Sequence, residues 1–552
     1  MRICGKWARW IIIAAFVAML LIGLIVFDDY GLSCDELIER QSAAVNYRYI
    51  NRVLFDRDVF SDVWPTPLSE YRDRYYGVTM QLPMIAAEDA YMQLTGAPME
   101  SETAFLMRHL YTFLIYYFAL VCFYRMLRRL IENPYLALLG VLTIYLFGQF
   151  FAHSFYNIKD LLFASLLMVT LSCMERVFAT GRKPLWCALF AVSGTLLVTS
   201  RIVGAVLFVL VLLVMAWQDV SAARASACPQ TAPGRKPRWW LPYLLICAAL
   251  PLWVLVTPAA WSDPVGFALG YVRTFSNYQD PTGAAQAAEA VAAGAVIVKA
   301  DTRFYFIRHI LASVPVVTQM FALLGVGAYG VRAGKRMLHK GGEGESPAWG
   351  VMLTVFAGTL LYQAIAQPNV YDGWRHGFYL YPLLVAFFVY GLNRAIVFAQ
   401  TPKRAWVRVA ALGLVGVSLA GNAARIAVNH PHEYAMNNVF ARNTEVAREG
   451  DYWRLIYYDL AEWVLHNEPG EARVCLTDPT GGKEWIIDQL VLRRLPDADA
   501  TRLQFGYLAE SDYVLQNYAY LADYDWPLEG FAEVYAIWMD GQKLGAVARR
   551  IG

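Results

Sequence analysis

Three short segments carry the residue types that could do chemistry in this chain. Asp35-Glu36 follows the first apolar stretch, Lys159-Asp160 closes the string His153-Ser154-Phe155-Tyr156-Asn157-Ile158-Lys159-Asp160, and Tyr371-Asp372-Gly373-Trp374-Arg375-His376 precedes a late apolar stretch. A carboxylate such as Asp35, Glu36 or Asp160 can accept a proton from a nucleophile held within hydrogen-bond reach. A lysine or arginine beside it can neutralise a phosphate leaving group, and the planar fork of Arg375 suits a phosphodiester better than a point charge does. Arg201 is a further cation of this kind, as is Arg108-His109. Each feature also has a plain structural reading. Ser33 and Asp35 are good helix N-cap types, Lys159 can snorkel beside a capping Asp160, and Trp374 can belong to an interfacial aromatic belt.

These residues must be positioned by a membrane protein. Of 552 residues, 58% are hydrophobic and 17% charged, outside the usual soluble range. The net charge of +2 and the lack of long basic runs give no reason to expect a nucleic-acid partner. Apolar stretches long enough to cross a bilayer recur near 10–27, 106–124, 135–153, 161–178, 185–200, 202–217, 240–257, 310–330, 349–366, 378–398 and 406–424, about eleven spans. The 185–217 block is split only by Ser200-Arg201, read as a tight exported turn.

Basic residues cluster in alternate loops: Arg125, Arg128 and Arg129, then Arg176, Arg182 and Lys183, then Arg224 to Arg238, Arg332 to Lys340, and Arg394 to Arg408. The positive-inside rule therefore puts the N-terminus in the cytoplasm and the C-terminal tail outside. The first stretch is too long for a signal h-region and reads as a retained anchor; Gly31-Leu32-Ser33-Cys34 only faintly matches a lipoprotein cleavage box.

The expected architecture is a polytopic α-helical membrane domain over 1–425, with exported loops 28–105 and 258–304, and a small exported α+β domain over 426–552. In the first loop a helix is expected to about Asp56. An Ala-rich stretch at 284–298 suggests a lid, and 222–237 a cytoplasmic linker. In the tail the pattern predicts a helix over 451–467, strands at 472–476 and 512–516, and a hairpin of 534–538 with 543–548 around Met539-Asp540-Gly541-Gln542. Eight cysteines without metal-type spacing give no disulfide framework, although Cys34 and Cys475 both fall on the exported side. His153, His376, Glu36 and Asp160 could ligate a divalent cation, but no tight motif supports this. Walker A, Rossmann and Ser-His-Asp signatures are absent from the sequence.

Taken together, the acid after the first span, the His153–Asp160 string, Arg72-Asp73-Arg74-Tyr75-Tyr76-Gly77, Tyr371–His376 and His430-Pro431-His432-Glu433-Tyr434 resemble the integral-membrane GT-C glycosyltransferases. Within these, the segments are similar to those of bacterial protein O-mannosyltransferases and lipid A aminoarabinose transferases. The resemblance covers most of the membrane part and fades beyond about 435. It implies a GT-C-like fold and transfer of a sugar, with inversion, from a polyprenyl-phosphate carrier on the exported face to a glycan, lipid or protein acceptor. Asp35 would be the general base, with Glu36 beside it. Lys159 and Arg375 would hold the lipid phosphate, with Arg201 and His376 as further candidates, and Asp160 would position the acceptor. Tyr75, Tyr76, His153, Asn157 and Trp374 are the candidate substrate-binding side chains. The long mannosyltransferase motif and the zinc-associated residues of the aminoarabinose enzymes find no counterpart. Nucleotide sugars are cytoplasmic, so exported acids independently call for a donor carried across on a lipid. The rival readings are a transporter or flippase of a lipid-linked substrate, which would place polar groups near the midplane in related halves, and a membrane-anchored assembly or ligase-type protein whose tail binds a partner.

Overall fold

The computed structural model describes residues 4–98, 101–225, 239–276, 302–339, 345–441, 444–477, 484–521 and 528–551. The helices of the first half are α1 (Cys4–Val26), α2 (Glu36–Phe55), α3 (Leu82–Thr95), α4 (Glu102–Ile131), α5 (Pro134–Tyr145), α6 (Gly148–Tyr156), α7 (Asp160–Ala179), α8 (Pro184–Ser200), α9 (Ala205–Ala225), α10 (Leu241–Cys247), α11 (Ala249–Leu255) and α12 (Pro264–Ser276). Then come α13 (Tyr305–Ser313), α14 (Val316–His339), α15 (Pro347–Ala366), α16 (Leu380–Phe398), α17 (Ala405–Asn429), α18 (Glu445–Arg448), α19 (Ile456–Asn467) and α20 (Glu484–Arg494). Among the described residues, eight helices are long and apolar enough to cross a membrane, or nine if the bent pair α5 and α6 is one span.

Every apolar stretch read from the sequence falls on a helix, but three depart from a simple span. The predicted span at 135–153 is broken: α5 and α6 meet at 67°. The bend brings α6 under the 433–436 turn, where a Cβ on Gly148 would lie 2.8 Å from Met436 Sδ and 2.9 Å from the Glu433 carbonyl, so only glycine permits that approach. The stretch at 185–200 forms the 17-residue α8, and 240–257 forms the two seven-residue helices α10 and α11. Both are shorter than the roughly 20 residues a full crossing needs. The Ala-rich stretch at 284–298 and most of the 222–237 linker lie outside the described residues.

α16 is apolar on all sides and is the buried centre of the bundle, lying against α5, α14 and α15. α1, α9 and α17 instead turn large apolar side chains outward, among them Ile25, Leu213 and Val417. That is costly in water and favourable against acyl chains.

The tail forms a five-stranded sheet in the order β2-β1-β3-β5-β4, from β1 (Ala472–Thr477), β2 (Leu503–Phe505), β3 (Tyr513–Asn517), β4 (Phe531–Met539) and β5 (Gln542–Arg550). β1 runs parallel to β2 and β3, and β5 pairs antiparallel with β3 and β4. The predicted hairpin forms at Asp540 (φ 52°) and Gly541 (φ 82°), the two left-handed residues that a tight hairpin turn demands. α19 covers β3 and β5, and one apolar core runs unbroken from Phe155 and Phe378 in the bundle through Trp453 to Leu515 and Leu544 in the sheet. Cys34 Sγ lies 3.9 Å from Asp35 Oδ1 and Cys475 Sγ 3.6 Å from the Leu476 carbonyl.

Candidate active site

The candidate residues gather where α2, α7 and the turn before α16 meet. α2 begins at a local brace: the Ser33 backbone N–H donates to Glu36 Oε2 (2.6 Å), and Glu36 Oε1 lies 2.9 Å from His109 Nε2. Glu36 is therefore buried with both oxygens engaged. Asp35 makes no capping hydrogen bond. Its Oδ2 instead accepts from Arg375 Nη1 at 2.8 Å, and its side chain stays 31% exposed. Two adjacent acids thus take opposite positions, one inside the scaffold and one at the opening.

α7 is started by Asn157, whose Oδ1 accepts from the backbone N–H groups of Lys159 (3.2 Å) and Asp160 (2.8 Å). Asp160 consequently sits at a helix N-terminus, where the macrodipole favours a carboxylate. It pairs with Arg201 through Oδ1, and its Oδ2 lies 4.0 Å from Arg375 Nη1. Lys159, although next in sequence, points elsewhere. Its Nζ is 2.7 Å from Glu39 Oε1 and 4.1 Å from the centre of the Tyr76 ring. Glu39 is one turn beyond Asp35 on α2, and its second oxygen accepts from Gln81 Nε2 at 2.8 Å. Gln81 in turn accepts from Arg108 (2.9 Å), which pairs with Glu88 (3.0 Å), as does Arg40 (2.8 Å). Arg108 and His109 therefore belong to the scaffold that holds Glu39 and Glu36. Removing Glu88 would take the shared carboxylate from two buried guanidinium groups, a change that costs about 3–5 kcal/mol for a single broken buried pair.

Arg375 is the hub. It is 6% exposed, pairs with Asp35 and with Asp372 Oδ2 (3.1 Å), and lies near the rings of Trp453 (4.6 Å) and Tyr371 (5.4 Å). Burial alone disfavours the charged guanidinium, but Asp35 and Asp372 outweigh it and hold the group well above its ordinary pKa. His376 beside it is driven the other way, first by burial and then by Arg201, Arg375 and Lys159.

The remaining candidates frame this cluster. His153 is enclosed between Asn157 Nδ2 (3.0 Å) and Trp453 Nε1 (3.3 Å). Trp374 is buried and donates to Gln149 Oε1 (2.8 Å). Tyr75 and Tyr76 line a neighbouring pocket with Trp253, Phe267 and Tyr271. Among the described residues no group of three or more His, Cys, Asp and Glu has the geometry to hold a metal ion.

No protein-family model matches the chain, and no curated protein matches it. Its fold is similar to solved structures. One is ArnT from Cupriavidus metallidurans bound to undecaprenyl phosphate: 13% identity, TM-score 0.47, covering 97% of each chain. Another is the oligosaccharyltransferase AglB from Archaeoglobus fulgidus, in complex with an inhibitory peptide and a dolichol-phosphate: 12% identity, TM-score 0.44, covering 91% of this chain and 69% of that one. At these values the functional reading rests on the site's own geometry.

That geometry includes residues the sequence reading did not single out. Glu39 was reachable, because it lies four positions after Asp35 on one helix and so shares its face. Asp372 sat inside a chosen segment. Trp453 carries no sequence signal tying it to Arg375.

Proposed function

We propose that this chain is an inverting glycosyltransferase that moves a sugar from a polyprenyl-phosphate carrier to a glycan, lipid or protein acceptor. The reaction takes place at the exported face of a bacterial inner membrane, with the N-terminus cytoplasmic, a membrane-embedded catalytic part over 1–425 and a small outer domain over 426–552. The observation that carries the reading is one partly open carboxylate, Asp35, hydrogen-bonded to a buried guanidinium, Arg375, with Arg201 and Lys159 close by.

In this reading the donor phosphate takes the place of Asp35 on Arg375. Two buried N–H groups, Arg375 Nε and Arg201 Nε, have no acceptor among the described residues, and phosphate oxygens would satisfy them. Asp35, released, accepts the proton of the acceptor as its nucleophilic atom attacks the anomeric carbon. The bond from that carbon to the phosphate oxygen breaks on the opposite side, and the polyprenyl phosphate leaves with its charge matched by Arg375, Arg201 and Lys159. Glu36 and Glu39 hold α2 and Lys159 in place. Asp160 fixes the two arginines relative to each other, and His376, Tyr75, Tyr76, His153, Asn157 and Trp374 shape the surroundings of donor and acceptor.

The test is transfer by purified protein from radiolabelled polyprenyl-phosphate sugars to an extract of envelope acceptors. Arg375→Lys keeps the charge and loses the fork, so donor use should weaken; Arg375→Ala should be worse. If both variants transfer sugar like wild type, the phosphate role is wrong.

A further inference from the structure

The C-terminal region reaches into the site in two places. Trp453, 2% exposed, lays its ring over the Arg375 guanidinium at 4.6 Å and donates its N–H to His153 Nε2 at 3.3 Å. Tyr520, far along the tail, donates to Asp372 Oδ1 at 2.7 Å, while the other oxygen of Asp372 accepts from Arg375 at 3.1 Å. Asp372 and Gly373 both have positive φ (56° and 67°), a backbone bend that turns the Asp372 carboxylate back onto Arg375. A Cβ on Gly373 would come within 3.0 Å of Tyr452 Oη, so the residue before Trp453 also packs directly against this bend.

We infer that Trp453, directly, and Tyr520, through Asp372, are positioning residues that set the plane and direction of the Arg375 fork, making the C-terminal region a structural part of the donor-phosphate site. The inference rests on the phosphate reading of Arg375. The physical reason is that a guanidinium binds a phosphate in two parallel hydrogen bonds only when its plane is fixed. A desolvated ring stacked on the group supplies that restraint and leaves the in-plane N–H groups free to donate. Tyr371 adds a second ring contact at 5.4 Å. Among the ring contacts of Arg375, the closer one comes from the tail.

The experiment measures binding of undecaprenyl phosphate, with undecaprenol as the phosphate-free control, to the full chain in lipid nanodiscs. Trp453→Phe keeps a ring over Arg375 and should bind within about threefold of wild type. Trp453→Leu keeps apolar volume without the ring and should weaken binding by roughly 10- to 30-fold. In an Arg375→Lys background, where there is no plane to hold, Trp453→Leu should cost about threefold or less. Tyr520→Phe, at a residue 41% exposed, should weaken binding by roughly 2- to 5-fold, and that loss should vanish in an Asp372→Asn background.

Wild-type-like binding by Trp453→Leu, or an equal loss in both backgrounds, would overturn the inference while leaving the phosphate reading intact. If the wild type itself does not distinguish undecaprenyl phosphate from undecaprenol, the phosphate reading falls and this inference with it. Should Trp453→Leu fail to fold, the Tyr520 and Asp372 pair decides: unchanged binding by Tyr520→Phe overturns the inference.

Discussion

In the proposed mechanism Asp35→Asn separates the base from the scaffold, because the Asp35 side chain does not cap α2. The replacement is nearly isosteric. It removes no capping bond from α2, since the Asp35 side chain makes none, and the brace from Ser33 N–H to Glu36 at 2.6 Å remains. Arg375 is not left unpaired, for Asp372 stays at 3.1 Å and Asp160 at 4.0 Å. The ion pair lost is partly exposed, so stability should change by about 1 kcal/mol or less. Turnover is different: an amide cannot accept the proton, and general-base catalysis contributes on the order of 10²–10⁴-fold, or about 3–5 kcal/mol of barrier. Donor binding should hold or tighten, because a competing anion has left Arg375; at about 6 Å and an effective dielectric of 20, one unit of repulsion is worth roughly 3 kcal/mol. Single-turnover transfer from a radiolabelled donor, read beside equilibrium donor binding, distinguishes these terms. Near-normal turnover in Asp35→Asn with loss in Glu36→Gln or Asp160→Asn would show that the base is misassigned. A fall in donor binding that matches the fall in turnover would reduce Asp35 to an organiser of Arg375. If none of the three acids matters, a transporter of lipid-linked substrate becomes the better reading.

Three other outcomes follow from separate parts of the molecule. A Cβ on Gly77 would sit 1.4 Å from the Thr199 carbonyl oxygen, so Gly77→Ala should push the Tyr75-Tyr76 segment off the end of α8 and destabilise by about 1–3 kcal/mol; an unchanged melting temperature would refute this close approach. His430 lies 2.8 Å from Asp29 and 3.2 Å from Glu433, with Tyr30 and His432 also close; burial opposes its charge, but the two carboxylates win and raise its pKa to about 9. Its stabilising contribution is thus complete below the unfolded value of about 6.5 and disappears as pH rises through about 9, on the order of 2 kcal/mol given the half-exposed Asp29. The melting temperature of wild type should fall more than that of His430→Gln across that window, and parallel curves would reject the assignment. Finally, single cysteines at Ser101, Lys340 and Gly552, in a chain lacking reactive native cysteines, should label from outside at the first and last only; labelling at 340 in intact cells, or protection at 552, would overturn the topology.

How far the sequence could be read depends on the range of the interaction involved. Spans, the helix after Asp35 and the Asp540-Gly541 hairpin are set by neighbours a few positions apart, so composition and period reveal them. The break between α5 and α6 is not visible in that way, because 135–153 is apolar throughout and the bend answers to Met436 and Glu433, far along the chain. The same limit applies inside the site. Sidedness nominates Lys159, Arg201 and Arg375 as cations out of place, but it cannot say which acid each will meet. Proximity in sequence suggests Lys159 with Asp160. The fold instead pairs Lys159 with Glu39, Asp160 with Arg201, Glu36 with His109, and Asp35 with Arg375. Those exchanges matter for the chemistry. Four carboxylates, Asp35, Glu39, Asp160 and Asp372, surround three cations, and in the proposed reaction the incoming phosphate displaces one of them. Glu39 is held by Gln81, Asp160 by its helix start and Arg201, and Asp372 by Tyr520. Asp35 has the most open side chain of the four carboxylates, so in the proposed reaction the acid that yields Arg375 to the donor is also the one that takes the acceptor's proton.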